Sequence, residues 1–71
     1  NLDVIVSNIV KNINLNLLPQ FVEKLNKNGI LILCGFLVKD LNDLILESQK
    51  YGLKLVDYKT DNGWLQTQFI K

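Results

Sequence analysis

Asp3-Val4-Ile5-Val6-Ser7-Asn8-Ile9 is an apolar run without polar alternation that stops on a serine and an asparagine. Runs of this kind form strands buried on both faces, as in parallel sheets covered by helices. In open sheets of that type, ligands sit just beyond the carboxyl ends of the strands. Ser7 and Asn8 therefore fall where chemistry is usually done. The carboxamide of Asn8 can both donate and accept hydrogen bonds.

Outward from this strand, Asn12 to Leu25 reads as a helix. Ile13, Leu17, Leu18, Phe21, Val22 and Leu25 recur at three- and four-residue steps and make one broad apolar face. Pro19 should kink this helix or mark the first turn of its main segment, because proline lacks the N–H and crowds the preceding turn. Asn26-Lys27-Asn28-Gly29 ends it, with Asn28 or Gly29 suited to a left-handed conformation. Ile30 to Cys34 is a second apolar run without alternation, hence a second doubly buried strand, closed by Gly35 at the same edge as Asn8. Strand, helix and strand make a right-handed crossover unit. Gly35 reads as a tight turn, with close approach to a ligand as the other reading.

Asp40 is a good N-cap for a second helix, with Asp43 three residues on as a weaker stand-in for the Glu of a capping box. Leu41, Leu44, Ile45 and Ser48 form its inner face, and Gly52 suits the position just past its end. The remainder changes character. Leu53-Lys54-Leu55 and Leu65-Gln66-Thr67-Gln68-Phe69 alternate apolar and polar, the mark of antiparallel strands half exposed to water. Asp61-Asn62-Gly63 between them signals a hairpin, since Asn-Gly tolerates positive φ at both turn positions. The order is β-α-β-α-β-β, an α/β architecture that ends in an antiparallel hairpin.

That order leaves a geometric difficulty. Right-handed crossovers in one direction put both helices on the same face of the sheet. Yet Val4 and Val6 point one way and Ile5 the other, and Ile30, Ile32 and Cys34 oppose Leu31 and Leu33. One apolar face should be left uncovered beside an unpaired strand edge, an arrangement that invites association. The expectation is that residues 1–71 form the carboxyl-terminal half of one doubly wound domain whose upstream half is absent, or else an obligate partner of another chain. The start at Asn1 and the lack of any methionine read the same way.

Composition narrows the function classes. A chain of 71 residues holds one small domain. With a net charge of +1 and lysines scattered along the chain, no nucleic-acid surface is indicated. No apolar run approaches the roughly 18 residues of a membrane span, and no signal-peptide pattern occurs. The single cysteine, Cys34, cannot form an internal disulfide, which favours an intracellular, cytoplasmic setting. Histidine is absent, removing the commonest metal ligand and the commonest general base at neutral pH. No carboxylate pair, metal-ligand spacing or catalytic triad can be assembled, so neither a catalytic residue nor a metal site is assigned.

Taken together, Asp3-Val4-Ile5-Val6-Ser7-Asn8-Ile9-Val10, then Leu17-Leu18-Pro19, Leu25 and Gly29, then Leu31-Ile32-Leu33-Cys34-Gly35-Phe36-Leu37 resemble the second half of class I S-adenosylmethionine-dependent methyltransferases. The PrmA family, which methylates a large-subunit ribosomal protein, is the closest in pattern. It shows a strand ending Ala-Asn-Ile-Leu, a helix with Leu-x-Pro, a Gly-Gly turn and a following strand ending Ser-Gly-Ile-Leu. Tyr51-Gly52-Leu53 and the hairpin containing Trp64 fall at matching distances, so the resemblance covers essentially the whole chain. Each motif is weak alone; their joint spacing carries the likeness. Lys27-Asn28-Gly29 in place of Pro-Gly-Gly, Ser7 for Ala and Cys34 for Ser are departures that touch a turn and two small side chains.

The resemblance implies a Rossmann-like methyltransferase sheet of which these are the fourth to seventh strands, with the last strand antiparallel. It implies S-adenosylmethionine as cofactor, a ribosomal protein as substrate, and Asn8 as a cofactor-binding residue beside the site of methyl transfer. The glycine-rich loop and acidic residue that hold most of the cofactor would lie upstream; this segment alone should be inactive. Asn8 could equally form an Asx turn or cap the following helix. Ile9 and Phe36, just past the two strand ends, are candidates for the substrate pocket wall, with core packing as the alternative for both. Cys34 reads as a small buried apolar side chain. Trp64 reads as hairpin packing against the sheet, with a substrate contact as the other possibility, and Asp57 and Asp61 as solvated strand and turn residues. Two rivals stand beside this function: a class I methyltransferase with another acceptor, and a non-catalytic α/β interaction module that completes its sheet with a partner chain.

Overall fold

The computed structural model describes residues 1–8 and 11–71, with side chains from Leu15 onward in the second stretch. The elements run β1 (Leu2–Asn8), α1 (Lys11–Lys24), β2 (Leu25–Leu37), a 3-10 turn (Val38–Asp40), α2 (Leu41–Gln49), β3 (Lys54–Asp61) and β4 (Trp64–Ile70). One four-stranded sheet has the order β1-β2-β4-β3. β1 and β2 are parallel, whereas β4 runs antiparallel to both β2 and β3. The mixed α/β architecture expected from the sequence is thus present, and the last strand inserts between β2 and β3. Because β4 runs back against β2, the β3–β4 turn comes to the edge where β1 and β2 end.

Both helices cover one face. Leu18 of α1 and Leu44 of α2 join Leu31, Leu33, Phe36, Leu65 and Phe69 in a single buried cluster, with Ile5, Leu15, Phe21, Val22, Leu41 and Leu55 packed against it. Alternation along β4 puts Leu65, Thr67 and Phe69 on this covered face. Full burial of one such side chain stabilises by about 1.5–3 kcal/mol, so this layer supplies most of the driving force. On the other face Val4 is 53% exposed, Val6 63% and Val56 55%. β1 is accordingly buried on one face only, and the uncovered apolar surface expected from the strand pattern is there.

Several local readings change. β2 begins at Leu25, which pairs with Leu2, so residues read as the end of a helix and its turn belong to the strand assignment. Asn28 takes the left-handed conformation with φ 68°, while Gly29 is needed for space: a Cβ there would meet the Asn26 carbonyl oxygen at 2.8 Å and that of Asp3 at 3.3 Å. α1 continues through Pro19 as one helix. Asp40 does not cap α2 through its side chain; its carboxylate accepts from the Leu37 amide at 3.2 Å, closing the 3-10 turn before it. At the other end of α2 the Leu53 amide donates to the Ser48 carbonyl and the Gly52 amide to that of Gln49, a Schellman closure with Gly52 at φ 78°. The hairpin turn is the two residues Asn62 and Gly63, both at positive φ, as its sequence indicated. Lys71 ties the chain end to α1: its ammonium donates to the carbonyls of Val22 and Leu25 at 2.6 and 2.7 Å.

Candidate functional site

Gly35 decides the shape of the carboxyl edge. It does not close β2; the strand continues to Leu37, and the pairing with β4 shifts register between Leu33 and Phe36. With φ at 89°, Gly35 sits in this bulge in a conformation that side chains rarely adopt. Strict alternation from Leu31 and Leu33 would send Phe36 to the open face. The bulge adds one residue and turns it under the helices, where it is 1% exposed. Phe36 is therefore core, so of the two readings offered for it the pocket wall is corrected and core packing is what the structure shows.

Beside the bulge lies a concavity of about 490 Å³. Asn8 lines it from the end of β1, with Cys34 and Gly35 from β2. Asn8 and Cys34 are register partners, which sets the carboxamide next to a small thiol and a residue with no side chain. The opposite wall comes from the hairpin: Trp64, Leu65 and Gln66 from β4, and Lys59, Thr60 and Asp61 from β3. Trp64 pairs with Asp61 and Gln66 with Lys59 across the two strands. Asn8 is exposed, so its amide is available to a ligand.

Of the residues singled out from the sequence, Asn8 faces this concavity and Ser7 does not. Ser7 alternates to the covered face, where it is buried opposite Leu33. Ile9 lies outside the described residues. Cys34 is half-buried at the concavity, not enclosed in the core. Trp64 is 56% exposed and lines the concavity. Most of the hairpin's contribution was not anticipated, because Trp64 was given a ligand contact only as its second reading and Asp61 was read as solvated. The signal was present: with Leu65, Thr67 and Phe69 facing the core, period-two alternation puts Trp64 and Gln66 on the open face beside Asn8. Asp57 is exposed and accepts from its neighbour's amide, that of Tyr58, at 2.8 Å. Among the described residues no group of three or more His, Cys, Asp or Glu side chains could hold a metal ion.

An α/β sheet with a concavity at the carboxyl ends of its parallel strands belongs to the class that binds small ligands at that edge. Comparison with known proteins narrows this further. The model of the family described as ribosomal protein L11 methyltransferase (PrmA) matches residues 1–71. The ribosomal protein L11 methyltransferase of Bacteroides thetaiotaomicron is 36% identical over 67 residues, covering 94% of this chain and 24% of the relative. That of Bacteroides fragilis is 32% identical over 68 residues, covering 96% of this chain and 24% of the relative. A crystal structure of ribosomal protein L11 methylase from Lactobacillus delbrueckii subsp. bulgaricus superposes with a TM-score of 0.87 at 25% identity, over 94% of this chain and 35% of that one. The chain belongs to the PrmA family. It spans about a quarter of the length of these curated relatives.

Proposed function

We propose that the chain is the carboxyl-terminal part of the catalytic domain of a protein N-methyltransferase, acting on amino groups of a large-subunit ribosomal protein with S-adenosylmethionine as donor. The observation that carries this reading is Asn8: an exposed residue with a carboxamide at the end of a parallel strand, lining a concavity beside Cys34 and Gly35. Membership of the PrmA family supports it, as does the name shared by the relatives, ribosomal protein L11 methyltransferase.

The residues present fit one end of such a donor. Cys34 and Gly35 leave room beside Asn8, whose amide can accept from an ammonium and donate to a carboxylate without titrating. When bound, the donor supplies a methyl group on a positively charged sulfur; as the amine lone pair forms the N–C bond, the S–C bond breaks and the amine sheds a proton. Such an in-line displacement depends chiefly on positioning, the one service a fixed carboxamide can give. A glycine-rich loop and its acidic partner do not occur in this chain, so the isolated segment is inactive in this reading and the upstream half completes the site.

The open face of the sheet supports the same assignment. Exposed Val4, Val6 and Val56 call for a covering layer, which the upstream half supplies. They also favour a second reading, in which the chain is a non-catalytic module completed by a partner chain. An acidic residue after a strand and a glycine-rich turn in the upstream sequence separate the two, since only the enzyme needs them. A monodisperse monomer of residues 1–71 that unfolds cooperatively would overturn the half-domain assignment. The setting assigned is the cytoplasm, where ribosomal proteins are made; among the described residues no helix is long and apolar enough to cross a membrane.

Replacing Asn8 tests the carboxamide's role. In the full-length protein Asn8→Ala should lower methyl transfer on the order of 10–100-fold, the scale of a misplaced reactant, with a much smaller change in melting temperature. Thermal destabilisation with activity retained would return Asn8 to an Asx-turn or capping role.

A further inference from the structure

We infer that the outer edge of β3 docks a second copy of this protein, the two strands pairing antiparallel about Tyr58. The inference goes beyond the function proposed above and rests on one part of it, that an upstream half completes the sheet. A doubly wound half made of parallel strands joins at β1, the parallel end. β3, in the antiparallel hairpin, then stays the outermost strand, bonded among the described residues to β4 alone. Seven of its eight residues are exposed; Leu55 is half-buried.

The register within the hairpin tells which backbone groups face outward. Next to a two-residue turn the flanking residues, here Asp61 and Trp64, form a hydrogen-bonded pair, and bonded pairs recur at every second position. Lys59 with Gln66 is the next such pair, so the amides and carbonyls of Tyr58 and Thr60 turn away from β4. The Tyr58 amide donates to the Asp57 carboxylate at 2.8 Å, a local substitute for a neighbouring strand. About a two-fold axis through Tyr58, this amide and carbonyl bond with those of Tyr58 in the second copy, and the two rings stand side by side. Asp57, released from the Tyr58 amide, then faces Lys59 of the second copy.

Lysines on an edge strand normally discourage pairing. Here the spacing Asp57-Tyr58-Lys59 makes the edge complementary to itself, with two ion pairs flanking one aromatic pair. Other registers do worse. An axis through Asp57 or Lys59 would set like charges opposite each other. One through Thr60 would oppose Lys59 to Asp61 but carry the first half of each strand past the other's turn. The bulge at Val56 bends the edge away before Asp57, so the ladder is short and the dimer weak. Lys59 also lines the concavity, so Asp57 of the second copy arrives at its rim.

The experiment is sedimentation velocity on the full-length protein from roughly 5 to 500 µM, since a short strand pairing belongs with the small, weak interfaces. A concentration-dependent dimer that loosens as salt is added is expected. Lys59→Asp and Asp57→Lys should each weaken dimerisation about tenfold to a hundredfold, because each turns two attractive pairs into two repulsive ones. Mixed in equal amounts, the two variants should form a heterodimer about as tight as the wild-type dimer, since every opposed pair is again of opposite sign. Amide exchange at Thr60 should be fast in the monomer, as for an uncovered edge. Its protection at the lowest concentration would show β3 covered within the protein, which sinks the placement of the upstream half at β1 and the inference with it. A monomer at every concentration with Thr60 exchanging fast would overturn the inference alone, as would a dimer indifferent to both charge reversals or a mixture that fails to associate. β3 amides protected only on adding the acceptor ribosomal protein would give the edge to that protein and overturn the second copy as its occupant.

Discussion

The two faces of this sheet are made of similar residues and have opposite fates. Ile5, Leu31 and Leu33 face the helices, with Leu31 and Leu33 fully buried and Ile5 packed against them. Val4 and Val6, their neighbours in β1 or across from β2, stand more than half exposed. Hydrophobic patterning assigns a residue to a face by parity, but whether that face is dry depends on what lies over it. Here two helices cover one side, because both crossovers have the same hand, and nothing among the described residues covers the other. The concavity lies where the open face meets the carboxyl edge, so the surface left without a cover is also the one that borders the proposed site.

Three substitutions in the full-length protein would break or sharpen this contrast. The largest effect belongs to the covered face. Phe69 is fully buried at the centre of the cluster, and Phe69→Ala should lower stability by about 3–5 kcal/mol in chemical denaturation, from lost transfer energy and the cavity left behind. A loss below about 1 kcal/mol would mean that this layer is loosely packed. Next comes the open face. If an upstream layer covers it, Val4→Thr with Val6→Thr should cost about 1–3 kcal/mol, since two hydroxyls would be buried without partners. Left in water as they stand here, the same pair should change stability by less than about 0.5 kcal/mol. That smaller value would remove the covering half from the picture. Ser48 gives the smallest effect and the opposite sign. Its hydroxyl is buried on the inner side of α2 and has no hydrogen-bond partner among the described residues. Ser48→Ala should raise stability by about 1 kcal/mol, through relief of that unsatisfied group and the better helix propensity of alanine. A destabilised variant would show that the hydroxyl has a partner in the complete protein.

The same division runs through what could be read from the residues. Gly52 and Asn62-Gly63 were legible because helix ends and two-residue hairpin turns depend on backbone conformations that few residue types tolerate. Leu44 and Ser48 were legible as the buried residues of α2 because helical spacing is local. Gly35 was legible as a special position but not as a bulge. Whether an extra residue is inserted depends on the register with β4, a strand some thirty positions away. Phe36, left between pocket wall and core, was decided by the same bulge in favour of the core. Trp64 was left between two readings for a related reason: only the arrangement of four strands shows that it lines the concavity at the carboxyl edge.

By itself, then, the sequence of this protein determined the element types, the turns, the α/β class, the family likeness and the prominence of Asn8, all of which depend on short-range spacing and residue chemistry. The tertiary structure alone decided that β4 lies between β2 and β3, that Phe36 turns inward at Gly35, and that Trp64 and Asp61 meet Asn8 across one concavity. Those facts depend on strand order and register, which are set by long-range pairing and by the burial of the covered face.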